Sequence, residues 1–371
     1  MRFSDSDYTV TIGGETIALR RKEYNLLVYL HAHAGRTFSR DALLDAVWPM
    51  EAPTDRTVDD HIYRLRQKLK SFSDTVEIRT VKGLGYCLEL KDESTDPFPE
   101  ELSRQTDQLF STYYKFGQGK ALKELLNSRE LGSAFTRQHR LVNFLLNSDF
   151  TALLEQSDHN DFTFLPLFLY SHVEENTEAA IELIERTLER KADIKEVEAM
   201  DLKFFTLPPL YMKAGKPDHS IAFVEEGLMM VESEDHGFYP ALRIMKAAVL
   251  FYKGDPALFT EELTGIRGVL EAHPYLREKA ALTLLEGIGA THAGRKEEGK
   301  SWINEALEMI RRSGHTYYNL FLFQLIDLLL PKAGAAPGTI RYFRKKKDEY
   351  YASTRLIELK KTIKKRAAFF L

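Results

Sequence analysis

The spacing of apolar residues changes character along the chain. In "TVTIGGETIAL", residues 9–19, apolar and polar positions alternate on either side of Gly13-Gly14. That pattern predicts a β-hairpin, because a glycine pair accepts the positive φ of a tight turn. Tyr24, Leu27, Leu30 and Ala34 then recur at helical spacing, and Gly35 marks the stop. Ser39 stands where a hydroxyl can cap a second helix, with Asp41 favoured at its positive end and Leu43, Leu44, Val47 and Trp48 as its apolar face. In "RTVDDHIYRLRQKL", residues 56–69, Val58, Ile62, Leu65 and Leu69 are spaced four, three and four apart. They form one stripe that predicts a third helix buried along one side. "VEIRTVKGLGYCLEL", residues 76–90, reads as two strands around Gly83-Leu84-Gly85. The predicted order is hairpin, three helices, hairpin. "KDESTDPFPE", residues 91–100, mixes acid, hydroxyl and proline and predicts a linker between residues 1–90 and residues 101–371.

Beyond residue 101 the pattern is helical throughout and repeats. Gly215, Gly254, Gly294 and Gly334 lie 39 or 40 residues apart, with Glu175 in step before them. Counted from Glu175, Gly215 and Gly294, the fifth position is small (Ala180, Ser220, Gly299) and the ninth β-branched (Ile184, Val224, Ile303). The thirteenth is leucine (Leu188, Leu228, Leu307), whereas the Gly254 unit departs with Phe259 and Arg267. Small residues let helices approach and a glycine lets the chain reverse, so the units predict stacked helical hairpins. The set Tyr211, Gly215, Ser220 and Leu228 resembles tetratricopeptide repeats, at a longer period. The fold class expected is therefore multi-domain: an N-terminal α+β unit of two hairpins and three helices followed by an all-α, tetratricopeptide-like solenoid with a concave face.

Charge is segregated. Residues 1–96 carry 14 basic and 16 acidic side chains, while residues 341–371 carry 11 basic and 3 acidic ones, within a chain of net charge −4. A local polyanion contact is the natural use of such asymmetry. The longest apolar run, "FLFQLIDLLL" at 321–330, is broken by Gln324 and Asp327 and is too short for a membrane span. The start lacks a signal-like apolar core, and the single cysteine, Cys87, allows neither an internal disulfide nor a thiolate metal site. A cytoplasmic protein without membrane contact is expected.

Four basic side chains fall between residues 56 and 68 on the third helix, on sides away from its apolar stripe. Asp60, Arg64 and Gln67 point directly outward, flanked by Tyr63 on one side and by Thr57, His61 and Lys68 on the other. A helix fits the DNA major groove, where Arg can donate twice to guanine and Gln can pair with adenine, while flanking cations meet phosphates.

Four ordered stretches, "KEYNLLVYLHAHAG", "FSRDALLDAVW", "RTVDDHIYRLRQKL" and "IRTVKGLGYCLEL", resemble the winged-helix DNA-binding domain of the OmpR/PhoB family over about a quarter of the chain. The resemblance implies that the third helix is the recognition helix, that the Trp48 to Arg56 loop can touch RNA polymerase, and that the hairpin around Gly83 to Tyr86 is the wing. It further implies that Arg56 and Thr57 contact backbone, that Asp60 and Arg64 face bases, that His61 and Arg66 meet phosphate or the groove edge, and that Thr80 and Lys82 anchor the wing. Tyr63 and Lys68 complete the expected DNA-facing set. Tyr63 stands where many members have Arg, Asp60 where apolar residues are common, and Arg20-Arg21 replaces the usual Leu-Thr start, so a relative's target sequence does not transfer. The motifs begin near Met1, where most members carry a receiver domain, so a phosphorylated receiver is not the expected input. A winged helix followed by helical repeats is similar to HilA-like and antibiotic-regulatory activators, and more loosely to peptide-sensing regulators.

Other features have plainer readings. His31 and His33 diverge by about 200 degrees on a helix and cannot share a metal. Cys87 reads as strand packing, and the "GLG" of "VKGLGY" as a turn rather than a dinucleotide loop. The aromatic run "DFTFLPLFLYSH", residues 161–172, reads as core, and residues 341–371 as one basic amphipathic helix capping the last repeat. The function expected is a sequence-specific transcription regulator, not an enzyme and without cofactor. Its repeats would sense a peptide, protein or small-molecule effector, and it would act as a homodimer because one winged helix reads few base pairs. The alternative is an interaction scaffold in which the winged helix contacts protein.

Overall fold

The structure is a computed structural model that describes residues 2–4, 6–12, 15–48, 55–73, 75–81, 83–90, 100–128, 135–157, 161, 164–190, 194–231, 233 and 236–370. It divides into two compact units, Met1–Pro97 and Phe98–Leu371. The Gly13-Gly14 turn, residues 49–54 of the loop after Trp48, Lys82 and residues 91–99 of the linker lie outside the described residues.

The first unit begins with β1 (Arg2–Ser4), β2 (Thr9–Ile12) and β3 (Glu15–Ala18), an antiparallel sheet in that order. It continues with α1 (Arg21–Ala32), β4 (Thr37–Phe38), α2 (Arg40–Val47) and α3 (Asp55–Leu69), and ends with β5 (Val76–Val81) and β6 (Gly85–Leu90). The second sheet has the order β4-β6-β5, with Phe38 opposite Tyr86 and Thr80 also opposite Tyr86. Strands β1 and β4 add to the two hairpins that the alternation predicts. At three and two residues they are too short to show a period. Gly85 is required where β4 meets β6: with φ of +134°, a Cβ there would lie 1.9 Å from the Phe38 carbonyl oxygen.

Val58, Ile62, Leu65 and Leu69 are all at most 3% exposed and pack with Leu26, Leu27 and Leu30 of α1 and Val76, Ile78 and Leu88 of the second sheet. Each such side chain contributes roughly 1.5–3 kcal/mol by leaving water. The stripe thus fixes which side of α3 remains outside.

The second unit is helical throughout its described residues. It opens with α4 (Glu100–Lys115), α5 (Gly119–Leu126), α6 (Arg137–Leu146), α7 (Phe150–Gln156), α8 (Phe164–Val173) and α9 (Thr177–Glu189). α10 (Glu196–Asp201) runs through a π-helical stretch, Leu202–Thr206, into α11 (Leu207–Lys213). The wide turn falls just before Pro208 and Pro209, which have no amide hydrogens to give. There follow α12 (Pro217–Met230), α13 (Tyr239–Lys253), α14 (Pro256–Ala272), α15 (Leu276–His292), α16 (Lys296–Ser313), α17 (Asn319–Leu329), α18 (Pro337–Ser353) and α19 (Lys360–Ala367).

The four periodic glycines all adopt the left-handed conformation, φ +71° to +84°. Each reverses the chain between the two helices of a hairpin: α11 to α12, α13 to α14, α15 to α16, and α17 to α18. The recurrent fifth and ninth positions are buried, with Ala180, Ser220, Ile184, Val224 and Ile303 at 0% exposure, while the leucines of the thirteenth, Leu188, Leu228 and Leu307, are half-buried. The divergent unit keeps the geometry with Phe259 buried at the fifth place and Leu263 at the ninth. Early helices of the unit meet the turns that precede α15 and α17. The Leu276 amide donates to the Phe116 carbonyl at 3.0 Å, Arg277 donates to the Lys115 carbonyl at 3.0 Å, and Thr316 donates to the Leu146 carbonyl at 2.8 Å.

The basic C-terminal segment is not one helix capping the last repeat. α18 stops at Ser353, Arg355 takes φ +55°, and fully buried Leu356 turns the chain so that α19 packs on α8. Ile363 joins the core of α6 to α8, and Ala367 and Phe370 join that of α9 and α11. Three of its cations are matched locally: Lys364 pairs with Glu174 at 2.6 Å, Lys360 with Glu175 at 2.5 Å, and Arg366 donates to the Ser157 carbonyl at 2.9 Å. Among the described residues no helix is long and apolar enough to cross a membrane.

Candidate nucleic-acid interface

With its apolar stripe clamped, α3 presents Arg56, Asp60, Tyr63, Arg64 and Gln67 as exposed residues, at spacings of four, three, one and three. They lie along one line of the helix, about 16 Å long at 1.5 Å per residue. Tyr63 is 63% exposed and stands on this line rather than on its flank. Among the described residues neither Arg56 nor Arg64 has an ion-pair partner, so both positive charges face water. Two guanidinium groups, a carboxylate, a carboxamide and a phenol thus offer donors and acceptors along a rod that fits a groove about 12 Å wide.

The remaining expected residues fall into different surroundings. Thr57 and His61 are half-buried. His61 Nδ1 is 2.7 Å from the Thr57 carbonyl oxygen and its ring meets Trp48 edge-on at 5.1 Å, so Trp48 fixes the imidazole beside the start of α3. Arg66 donates from Nε to the Ile78 carbonyl at 2.8 Å and from its terminal nitrogen to Thr80 Oγ1 at 2.8 Å. Its guanidinium lies 5.7 Å from the centre of the Tyr86 ring, so it ties α3 to the β5–β6 hairpin. Lys68 donates to Glu23 Oε2 at 2.8 Å and to the Ala18 carbonyl at 3.0 Å, on the side of α1 and β3. Thr80 is exposed on β5. At the tip of the hairpin Gly83 and Leu84 are exposed, and Arg79 pairs with Glu89 across the two strands at 2.6 Å.

The structure adds a trio that local patterns do not reveal. Asp59 accepts hydrogen bonds from Arg40 Nε at 2.7 Å and from the Tyr86 hydroxyl at 2.6 Å. Arg40 also lies 5.1 Å from the Tyr86 ring centre, which places this ring between Arg40 and Arg66. Burial opposes ionisation of Asp59, but the two hydrogen bonds and the Arg40 charge outweigh it and hold the carboxyl below its usual range. The trio joins α2, α3 and β6. Asp59 is 19 residues from Arg40 and 27 from Tyr86, and the packing of α2 on α3 together with the strand register that places Tyr86 brings them together.

Comparison with known proteins agrees with this geometry. Residues 14–88 match the family described as "Transcriptional regulatory protein, C terminal". The chain is 49% identical over 78 residues to the transcriptional regulatory protein VxrB of Vibrio cholerae, covering 21% of this chain and 30% of the relative. It is 41% identical over 78 residues to the heme response regulator HssR of Staphylococcus epidermidis, covering 21% and 35%. To the sensory transduction protein RegX3 of Mycobacterium bovis it is 40% identical over 91 residues, covering 24% and 40%. The chain therefore spans less than half the length of each of these relatives. Two sheets flanking three helices, an outward-facing third helix and a hairpin tied to it complete the correspondence: residues 14–88 form a winged-helix DNA-binding domain of the OmpR/PhoB type.

Proposed function

We propose that this protein is a transcription regulator that binds specific DNA sequences through α3 and the β5–β6 hairpin, and that its helical unit receives an effector. The observation that carries the reading is the exposed line on α3 with two unpaired arginines, set on a buried stripe that leaves it no other orientation. In this reading Asp60, Tyr63, Arg64 and Gln67 face base edges, and Arg56, Thr57 and His61 lie against the backbone at the start of the helix. Thr80 and Lys82 place the wing. Arg66 and Lys68 serve by holding the helix to the hairpin and to α1, because their charges are already engaged inside the unit. The loop after Trp48 is the candidate contact for RNA polymerase, and two copies act together so that the combined site is long enough to be selective.

Retention of genomic DNA fragments by the full-length protein tests this directly. Arg64→Ala should lose sequence-selective retention by about 1–3 kcal/mol. Lys82→Ala should weaken all sequences alike and make the salt dependence shallower by about one unit. Unchanged retention in both variants would refute DNA binding through this surface and leave the protein-contact scaffold as the better account.

A further inference from the structure

Two adjacent carboxylates on α3 have opposite surroundings. Asp59 is held by Arg40 and the Tyr86 hydroxyl, so its charge is engaged inside the unit. Asp60 is exposed, and among the described residues it has no ion-pair or hydrogen-bond partner, although the exposed Arg56 and Arg64 stand one turn away on either side. Four residues is the spacing at which opposite charges on a helix can meet. Here all three charges stay open, on the side that the buried Val58, Ile62, Leu65 and Leu69 turn outward. A negative charge therefore sits in the middle of a surface otherwise suited to a polyanion. Phosphates repel it, so on a groove-facing line it lowers affinity for every duplex unless a hydrogen-bond donor meets it. An ionised carboxylate only accepts hydrogen bonds. In the major groove guanine N7 and O6 and thymine O4 are acceptors and oppose it, whereas cytosine N4 and adenine N6 donate. Adenine sets its N7 acceptor beside N6, which suits a carboxamide and turns a lone pair toward a carboxylate. Cytosine has no such acceptor beside N4 in its own ring.

We propose that Asp60 is a specificity determinant that selects a C·G pair in the operator and, by the same charge, lowers affinity for unrelated duplexes. This role rests on DNA reading by α3, and it names the base that one side chain selects. A line carrying only Arg56, Arg64 and neutral groups would hold any duplex through its phosphates. With Asp60 between them, a wrong base leaves the carboxylate facing acceptors and phosphates with no donor. The gain is in the ratio of cognate to unrelated affinity rather than in affinity itself, because repulsion acts against every sequence but the matching one.

Selection from a random duplex pool by the full-length protein tests this, with Asp60→Ala and Asp60→Asn beside the parent. The parent's selected duplex and an unrelated duplex of the same length are then titrated with all three proteins. The parent should enrich a C·G column that flattens in Asp60→Ala and becomes A·T in Asp60→Asn, since a carboxamide matches both N6 and N7 of adenine. Exchanging that pair for T·A should weaken binding of the parent about tenfold or more and change that of Asp60→Ala by less than about twofold. On the unrelated duplex Asp60→Ala should bind several-fold tighter than the parent. Identical columns in the parent and both variants, or an Asp60-dependent column that is not C·G in the parent, overturn the proposal and leave DNA reading by α3 intact. Equal or weaker binding of the unrelated duplex by Asp60→Ala overturns the repulsive role. Enrichment of no sequence by the parent refutes DNA reading by α3 itself, and the role of Asp60 with it.

Discussion

Lys68 illustrates how a cation near a nucleic-acid surface can have another task. Its partner Glu23 is 1% exposed and also accepts from the Arg20 amide at 2.9 Å, so this carboxylate joins the start of α1 to the end of α3. Burial opposes its ionisation, yet the Lys68 and Arg20 contacts together hold the carboxyl below its usual range. Lys68→Ala should therefore leave a buried carboxylate short of a donor and cost about 1–3 kcal/mol of stability. Urea unfolding should show that loss, while the salt slope of DNA retention stays as in the parent protein; an unchanged stability with a shallower slope would restore Lys68 to the phosphates. The sequence made the outward set on α3 readable because its apolar stripe is regular. It did not separate Arg56 and Arg64 from Arg66 and Lys68, because that distinction depends on Ile78, Thr80 and Glu23, which are distant along the chain.

Among the elements, the α15–α16 pair and α19 are the most exacting. A Cβ on Gly299 would lie 2.1 Å from Thr291 Oγ1 and 2.5 Å from the Gly287 carbonyl oxygen, so the two helices touch backbone to backbone. Gly299→Ala should destabilise the helical unit by about 1–3 kcal/mol through overpacking, seen as a lower thermal midpoint. The α19 contact has a pH signature. Burial alone would raise the Glu174 carboxyl, but hydrogen bonds from Lys364, the Asn176 amide and Tyr170 push it down to about 2. Unfolded carboxylates titrate near about 4.3. A folded value below the unfolded one means that the contribution is complete above about pH 4.5 and drains away as pH falls toward about 2. Glu174→Gln should flatten that acid limb, and hydrogen exchange over residues 360–370 should quicken in Lys364→Ala; an unaltered limb would show that Glu174 does not fasten the segment. The glycine turns of the array were legible because only a left-handed position recurs so regularly. The break at Arg355 was not, since Leu356 and Ile363 keep helical register across it and only their burial against α6 to α8 reveals the bend.

For the molecule as a whole, a DNA-reading unit of this size covers few base pairs, and the proposed regulator should act in pairs. Light scattering on a duplex carrying two half-sites about 10 base pairs apart should give the mass of two chains, and half a turn of added spacing should weaken the complex. One chain per duplex at every spacing would argue against pairing. The two-part organisation was readable from the change in apolar period near residue 100, whereas the meeting of α4 and α6 with the turns before α15 and α17 was not. The bonds that join them link residues 160 and more apart, such as Phe116 with Leu276 and Leu146 with Thr316. The docking of α19 onto α8 has a consequence for biosynthesis. In an open stack, each unit could mature as it leaves the ribosome. Here the groups of α8 and α9 that Ile363, Ala367 and Phe370 cover must stay wet until α19 has been translated, so the early helices are provisional until a segment nearly 200 residues further on has emerged.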